Sequence, residues 1–143
     1  PRSSEPSAMT AAPTRDLVVD ASTLVDLLVG SQTESIARAI RDFRWHAPAH
    51  VDVEVTSALR GLVLGGHLSP ARAVDALIDF HDLAITRWPP DLPTSRRILA
   101  LRAGLTAYDA AYVVCAEGLL APLVTRDERL ARAAAPYVEV MSA

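Results

Sequence analysis

Apolar residues in this chain fall into two patterns: short unbroken runs, and longer stretches spaced at helical intervals. Leu17-Val18-Val19, ending at Asp20, is a short unalternated run, which predicts a strand buried on both faces. A helix is expected over about Thr23–Leu28, stopped by Gly30, and a second amphipathic stretch over Ser35–Phe43. Trp45–Ala47 reads as a second strand closed by Pro48. Val51, Val55, Ala58, Leu59 and Leu62 recur at helical spacing up to Gly65-Gly66. Ser69-Pro70 is an N-cap followed by proline at the first helical position, with Val74, Leu77 and Ile78 as the expected apolar face. Leu83–Thr86 is a third strand, ended by Pro89-Pro90. Pro93 or Thr94 opens a helix carrying Ile98 and Leu101. Thr106 opens the next, with Tyr108, Tyr112 and Cys115 expected on one apolar stripe. Pro122–Thr125 is a fourth strand, Glu128–Ala134 a short helix and Tyr137–Met141 a fifth strand.

Strands that alternate with helices predict an α/β fold with a parallel sheet and right-handed crossovers. In such sheets, sites lie beyond the carboxyl ends of the strands, where the winding direction reverses. Asp20 directly follows the first strand and Asp127 follows the fourth by two residues. If those strands are neighbours, both carboxylates face one crevice. The segment before Leu17 lacks apolar periodicity and is rich in Pro, Ser, Ala and Thr. Residues 1–15 are therefore expected to be a flexible tail, with Met9 a candidate start of the natural chain, and residues 16–143 a single domain.

Composition narrows the chemistry. Half of the 143 residues are hydrophobic and the net charge is −3, which fits a folded chain and not a non-specific coat for nucleic acid. A single cysteine excludes a disulfide framework and a cysteine-rich zinc site, and suits the cytoplasm. No apolar run reaches the roughly 18–20 residues of a membrane span. All 14 basic residues are arginine. Without lysine there is no Schiff-base chemistry and no phosphate-binding loop of the kind that needs an essential lysine.

The acids carry the remaining signal. Asp20, Glu54, Asp109 and Asp127 each have an ordinary explanation: a helix cap, a dipole complement, a capping box with Thr106, and a second cap. Yet Glu54 and Asp109 sit in apolar company, and no arginine stands within one helical turn of Asp20 or Asp109. Buried carboxylates need a compensating charge, and a hard cation held by oxygen ligands supplies one. Such a cation polarises a phosphodiester for in-line attack. Asp52 points away from Glu54 around their helix, and Asp26 reads as a solvated helix residue. His46, His50, His67 and His81 lack metal-ligand spacing. Ser22 or Thr125 can support the site from behind. Four acids in one crevice should repel one another, so Asp109→Asn is expected to stabilise the metal-free protein.

The four acids lie in segments that resemble the motifs of the VapC toxin family of PIN-domain ribonucleases. Leu17-Val-Val-Asp-Ala-Ser22 resembles the first motif. Ala47-Pro-Ala-His-Val-Asp-Val-Glu54, continuing to Ala58-Leu-Arg60, resembles the second. Leu105-Thr-Ala-Tyr-Asp-Ala-Ala-Tyr-Val113 and Pro122-Leu-Val-Thr-Arg-Asp127, with Arg129-Leu130, resemble the third and fourth. The resemblance spans about Leu17 to Val140. It implies a PIN-like three-layer α/β/α fold with a five-stranded parallel sheet in the order 3-2-1-4-5. It also implies Mg²⁺- or Mn²⁺-dependent endonucleolytic cleavage of RNA, with tRNA or rRNA loops as the expected targets. The family's metal-site acids map onto Asp20, Glu54, Asp109 and Asp127, with Ser22 and Thr125 behind them. Arg126, Arg129, Arg96 and Arg97 are candidate RNA contacts. A cognate VapB-type antitoxin and a homodimer are the implied partners. Two alternatives stay open. One is a catalytically inactive PIN-fold module that only binds a partner. The other is an aspartyl phosphotransferase built on Asp20, which lacks both the partner acid at position 22 and a lysine.

Overall fold

The computed structural model describes residues 15–143; the expected tail, and Met9 with it, lies outside the described residues apart from Arg15. Twelve elements follow in order: β1 (Arg15–Val19), α1 (Ala21–Val29), α2 (Thr33–Ile40), β2 (Phe43–Pro48), α3 (Val51–Leu64), α4 (Pro70–Asp82), β3 (Ile85–Trp88), α5 (Leu92–Ala100), α6 (Ala107–Leu119), β4 (Leu123–Val124), α7 (Glu128–Ala134) and β5 (Val140–Met141). The five strands form one parallel sheet in the order β3-β2-β1-β4-β5. The winding direction therefore reverses between β1 and β4. Right-handed crossovers then put α1–α4 on one face of the sheet and α5–α6 on the other.

The centre of the sheet is its driest part. Leu17, Val18 and Val19 of β1 and Leu123 and Val124 of β4 have no exposed surface. Both faces of these strands are covered, which is why the runs are unalternated. α1 packs against α2, α3 and α4, and α6 packs across β1, β2 and β4. Six consecutive or near-consecutive residues of α6 are buried, Ala110 to Val114 and Ala116. Small residues on its sheet-facing side let it lie close to the strands.

Several boundaries differ from those expected from the pattern. β1 begins at Arg15, two residues before the apolar run, because Arg15 and Asp16 pair with Phe43 and Arg44 at the sheet's rim. Phe43 belongs to β2, not to the preceding helix, which ends at Ile40. β3 runs from Ile85 to Trp88, two residues later than expected, and its ladder with β2 carries Trp88 to the end of the sheet. α5 starts earlier than Pro93 because Asp91 caps it, accepting from the Thr94 amide at 2.9 Å.

Two expected apolar faces are corrected. On α4, Ala76 and Phe80 are buried, whereas Val74 and Ile78 are 56% and 57% exposed. Phe80 is the larger side chain, and its row of the helix takes the core. On α6, Tyr112 is buried but Tyr108 is 66% exposed. Tyr108 lies one full turn nearer the helix start, where its ring meets His50 and not the core.

A polar network crosses the sheet next to the core. The Trp88 indole N–H of β3 donates to His46 Nδ1 of β2 at 3.0 Å, and His46 Nε2 lies 2.9 Å from Asp16 Oδ1 of β1. Since Nδ1 accepts, the ring proton sits on Nε2 and is donated to Asp16. Arg44 also donates to Asp16, at 2.8 Å and 3.2 Å. The Arg44 and His46 hydrogen bonds hold the Asp16 carboxyl down to about 2. No helix among the described residues is long and apolar enough to cross a membrane.

Candidate functional site

At the carboxyl end of β1 the chain turns into α1 at Asp20. Asp20 caps that helix through Oδ1, which accepts from the Thr23 amide at 3.0 Å. A cap uses one lone pair, and the other partners come from elsewhere. The Ser22 hydroxyl lies 2.8 and 2.9 Å from the two carboxylate oxygens, and the Thr125 hydroxyl donates to Oδ2 at 2.6 Å. Thr125 follows β4, the neighbouring strand across the reversal. Asp20 is only 4% exposed. Burial raises its carboxyl above the ordinary aspartate value, although Thr125, Thr23 and Ser22 pull the other way.

Asp127 is tied to the same corner. Its amide donates to Thr125 Oγ1 at 3.0 Å, while its carboxylate caps α7, accepting from the Arg129 and Leu130 amides. Arg126 N–H donates to Ser22 Oγ at 3.0 Å. Thr125 and Ser22 are thus shared between the first and fourth motifs, and they fix Asp20 against the β4–α7 turn.

Asp109 enters from α6. Its amide donates to Thr106 Oγ1 at 3.1 Å, so Thr106 caps the helix. The Asp109 carboxylate goes instead to Arg129 Nη2, at 2.8 Å. The same Nη2 lies 3.3 Å from Asp127 Oδ2. One guanidinium therefore spans two carboxylates from different elements. Arg129 thus offsets the repulsion expected between Asp109 and Asp127. It is distant from Asp109 in sequence, and only the turn after β4 brings it in.

Glu54 comes from the first turn of α3. It accepts from the Tyr112 hydroxyl at 2.6 Å, and His50 Nε2 lies 3.4 Å from the same Oε1. That separation is at the limit of a hydrogen bond, and His50 Nε2 has no better-aligned partner among the described residues. Burial alone would raise Glu54, but His50 and Tyr112 outweigh it and leave the carboxyl below the ordinary glutamate value. Burial and the Glu54 and Asp20 charges push Tyr112 far up, so its hydroxyl stays a donor. Asp52, two residues away, faces outward and takes Arg87 through a two-point ion pair at 2.8 Å.

Hydrogen bonds thus run continuously from Asp20 through Thr125 to Asp127, and from there through Arg129 to Asp109. Glu54 stands beside them on the Tyr112 hydroxyl. The other arginines do not join this cluster. Arg126 pairs with Asp26 at 2.6 Å, so Asp26 is not simply solvated, and also donates to the Ala143 carbonyl. Arg97 pairs with Glu117. Arg96 is exposed on α5. His50 is the residue the sequence reading passed over. Its spacing of four from Glu54 places both on one side of α3's first turn, a pairing signal that metal-ligand spacing does not test.

The donors fit a hard cation. They are carboxylate and hydroxyl oxygens, with Asp20 desolvated and paired to no cation. Among the described residues no three His, Cys, Asp or Glu side chains converge closely enough to hold a metal by themselves.

Residues 17–136 match the PIN domain family. The chain is 38% identical over 125 residues to "Ribonuclease VapC12" of Mycobacterium tuberculosis, covering 87% of this chain and 96% of that protein. It is 43% identical over 115 residues to "VapC ribonuclease Mb0985" of Mycobacterium bovis, covering 80% and 87%. Among solved structures, PAE2754 from Pyrobaculum aerophilum superposes with a TM-score of 0.68 at 24% identity, covering 90% of this chain and 89% of that one. VapBC2 from Rickettsia felis, bound to a DNA fragment from its promoter, gives 0.61 at 11% identity, covering 88% and 97%. These two likenesses concern the fold.

Proposed function

The chain belongs to the PIN-domain family, in its VapC branch, and from that premise we propose that it is a magnesium- or manganese-dependent endoribonuclease, the toxin of a toxin–antitoxin pair. The observation that carries the reading is the joining of Asp20, Asp127 and Asp109 through Thr125 and Arg129 at the crevice between β1 and β4. Asp20 and Asp109 are the residues that would hold the cation, with Glu54 and Asp127 completing the acidic pocket through water. When bound, a divalent cation polarises the phosphodiester and acidifies a water for in-line attack. No protein nucleophile is required.

The chain's own residues then have distinct tasks. Ser22, Thr23 and Thr125 fix both Asp20 oxygens and keep the buried carboxylate in one rotamer. Tyr112 holds Glu54 and cannot ionise to repel it. Arg129 is 60% exposed in its side chain and already reaches the pocket mouth, so it is the arginine best placed to turn from the carboxylates to an incoming phosphate. Arg126 and Arg97 pair with Asp26 and Glu117, outside the acidic cluster, which leaves Arg96 as a weaker candidate.

The substrate we propose is a single-stranded loop of a structured RNA, tRNA or rRNA, because unstacked bases and a free backbone can reach a crevice at the carboxyl end of the sheet. A VapB-type antitoxin would inhibit by sending an arginine into the acidic pocket, where it would replace Arg129. Curated relatives bear VapC names and one structural neighbour is a VapBC complex, which supports this partner. A homodimer acting in the cytoplasm completes the reading. The test is a panel of divalent ions added to metal-stripped protein and a cellular RNA pool. Cleavage with magnesium or manganese is expected. Cleavage with zinc and none with magnesium overturns the assignment. A folded protein that binds the antitoxin but cleaves nothing with any ion supports the inactive partner-binding module instead.

A further inference from the structure

Beside the acidic crevice lies a second, apolar hollow of about 440 Å³, walled by the ends of β2 and β3 and by α5 and α6. Its rim and walls include His50, Trp88, Tyr108, Ile98, Cys115 and Asp91. Building on the ribonuclease reading, we propose that this hollow receives one unstacked base of the RNA, adjacent to the phosphate that is cut.

The hollow presents rings where a base would need them. Trp88 and Tyr108 are 45% and 66% exposed. Both rings border the same apolar hollow, and base–aromatic stacking is the main device by which proteins grip single strands. The rings are also held still. Trp88 is tethered by its indole N–H to His46, which is itself anchored on Asp16. His50 meets Tyr108 edge-on, with centroids 5.5 Å apart, and meets Tyr112 in the same way at 5.4 Å.

Continuity with the acidic crevice comes through the same residues. His50 is a wall of the hollow and stands 3.4 Å from Glu54. Tyr108 is a wall and directly precedes Asp109 in α6. A strand whose phosphate lies at Asp20 and Asp109 thus passes its neighbouring base over His50 and Tyr108. The chemistry of the lining selects the base and not the phosphate: no arginine lines the hollow among the described residues, and its one charged wall residue is the acid Asp91. The volume falls in the range of small-ligand pockets and is bounded on several sides, which suits a planar ring better than a protein face. Cys115 at its floor is inert, because burial pushes the thiol up to about 12.

The experiment uses the whole chain and short single-stranded RNA in EDTA, which removes the cation that would activate the attacking water. Binding is read by fluorescence polarisation of labelled RNA. Quenching of Trp88 is read by comparison with Trp88→Phe, since Trp45 is the only other tryptophan. Tyr108→Ala and Trp88→Ala should each weaken binding on the order of tenfold, as loss of one stacking platform does. Gly118→Leu is the second kind of variant. Gly118 lines the hollow, and a Cβ there meets nothing within 4 Å, so a leucine can obstruct the mouth without disturbing the helix. It should weaken binding similarly and, in magnesium, flatten the base preference at one position beside the cut. Folded variants that bind within twofold of the native protein overturn the base pocket. So does a change from dimer to monomer with RNA binding intact, which assigns the hollow to contact between copies. If the native protein cuts no RNA but the three variants still lose binding, the pocket stands and the enzymatic reading falls. If the native protein cuts RNA and the variants cut with unchanged preference, only the pocket falls.

Discussion

At the scale of single residues, Arg129 decides how the acidic pocket behaves without a cation. Its Nη2 touches Asp109 at 2.8 Å and Asp127 at 3.3 Å, and these pairs lie near the surface. Exposed pairs of this kind are worth about 0–1 kcal/mol. Asp109→Asn therefore should change the stability of the metal-free protein by under about 1 kcal/mol in either direction, while cleavage is lost. Thermal midpoints in EDTA check this; a large loss would make Asp109 a structural keystone. Arg129→Gln removes a competitor for Asp109. It should tighten magnesium binding several-fold by calorimetry, whereas weaker magnesium binding would mean the guanidinium helps to build the site. His50 could be paired with Glu54 from its spacing of four, but Arg129 could not be paired with Asp109 from spacing along the chain. Arg129 meets Asp109 only because β4 lies beside β1. The positions of the four acids were legible, because Asp20 and Asp127 cap helices after strands and Glu54 and Asp109 lie in first helical turns.

At the scale of elements, strand order and helix content followed from the alternation of apolar runs with helical spacing, because both faces of β1 and β4 are dry. Faces were harder to assign. The periodicity of α4 allows either the Val74–Ile78 row or the Ala76–Phe80 row to face inward. Side-chain size and the position of α3 decide between them, and neither is visible in spacing. The C-terminus of α6 carries a testable strain. Leu120 adopts a left-handed conformation, with φ 52°, and is 94% exposed. Its side chain contributes almost no packing there, whereas glycine adopts this conformation without a Cβ clash. Leu120→Gly should stabilise the protein by up to about 1 kcal/mol, measured by denaturant midpoint, and leave cleavage unchanged. Destabilisation would mean that Leu120 is covered by something in solution.

For the molecule as a whole, one acid-sensitive contact lies away from the site, at the opposite end of β1. Asp16 has its carboxyl held down to about 2 by Arg44 and His46, against an ordinary value of 3.8. A lowered folded value means that Asp16 contributes stability fully above the unfolded value. That contribution is lost as pH falls from about 4 toward 2. The Asp16→Asn protein should be less stable than the native at pH 7, with the difference shrinking across that window. Parallel curves from pH 7 to 2 would show that the Arg44 and His46 contacts do not persist in solution. The central claim concerns the other end of the same strand, where Asp20 and Asp109 are proposed to hold a divalent cation that drives RNA cleavage. The most direct measurement maps new 5′ ends in a cellular RNA pool treated with native, Asp20→Asn and Asp109→Asn protein in magnesium. Discrete cut sites from the native protein that vanish with both folded variants are the predicted result; the same cut sites surviving in either variant would contradict the claim.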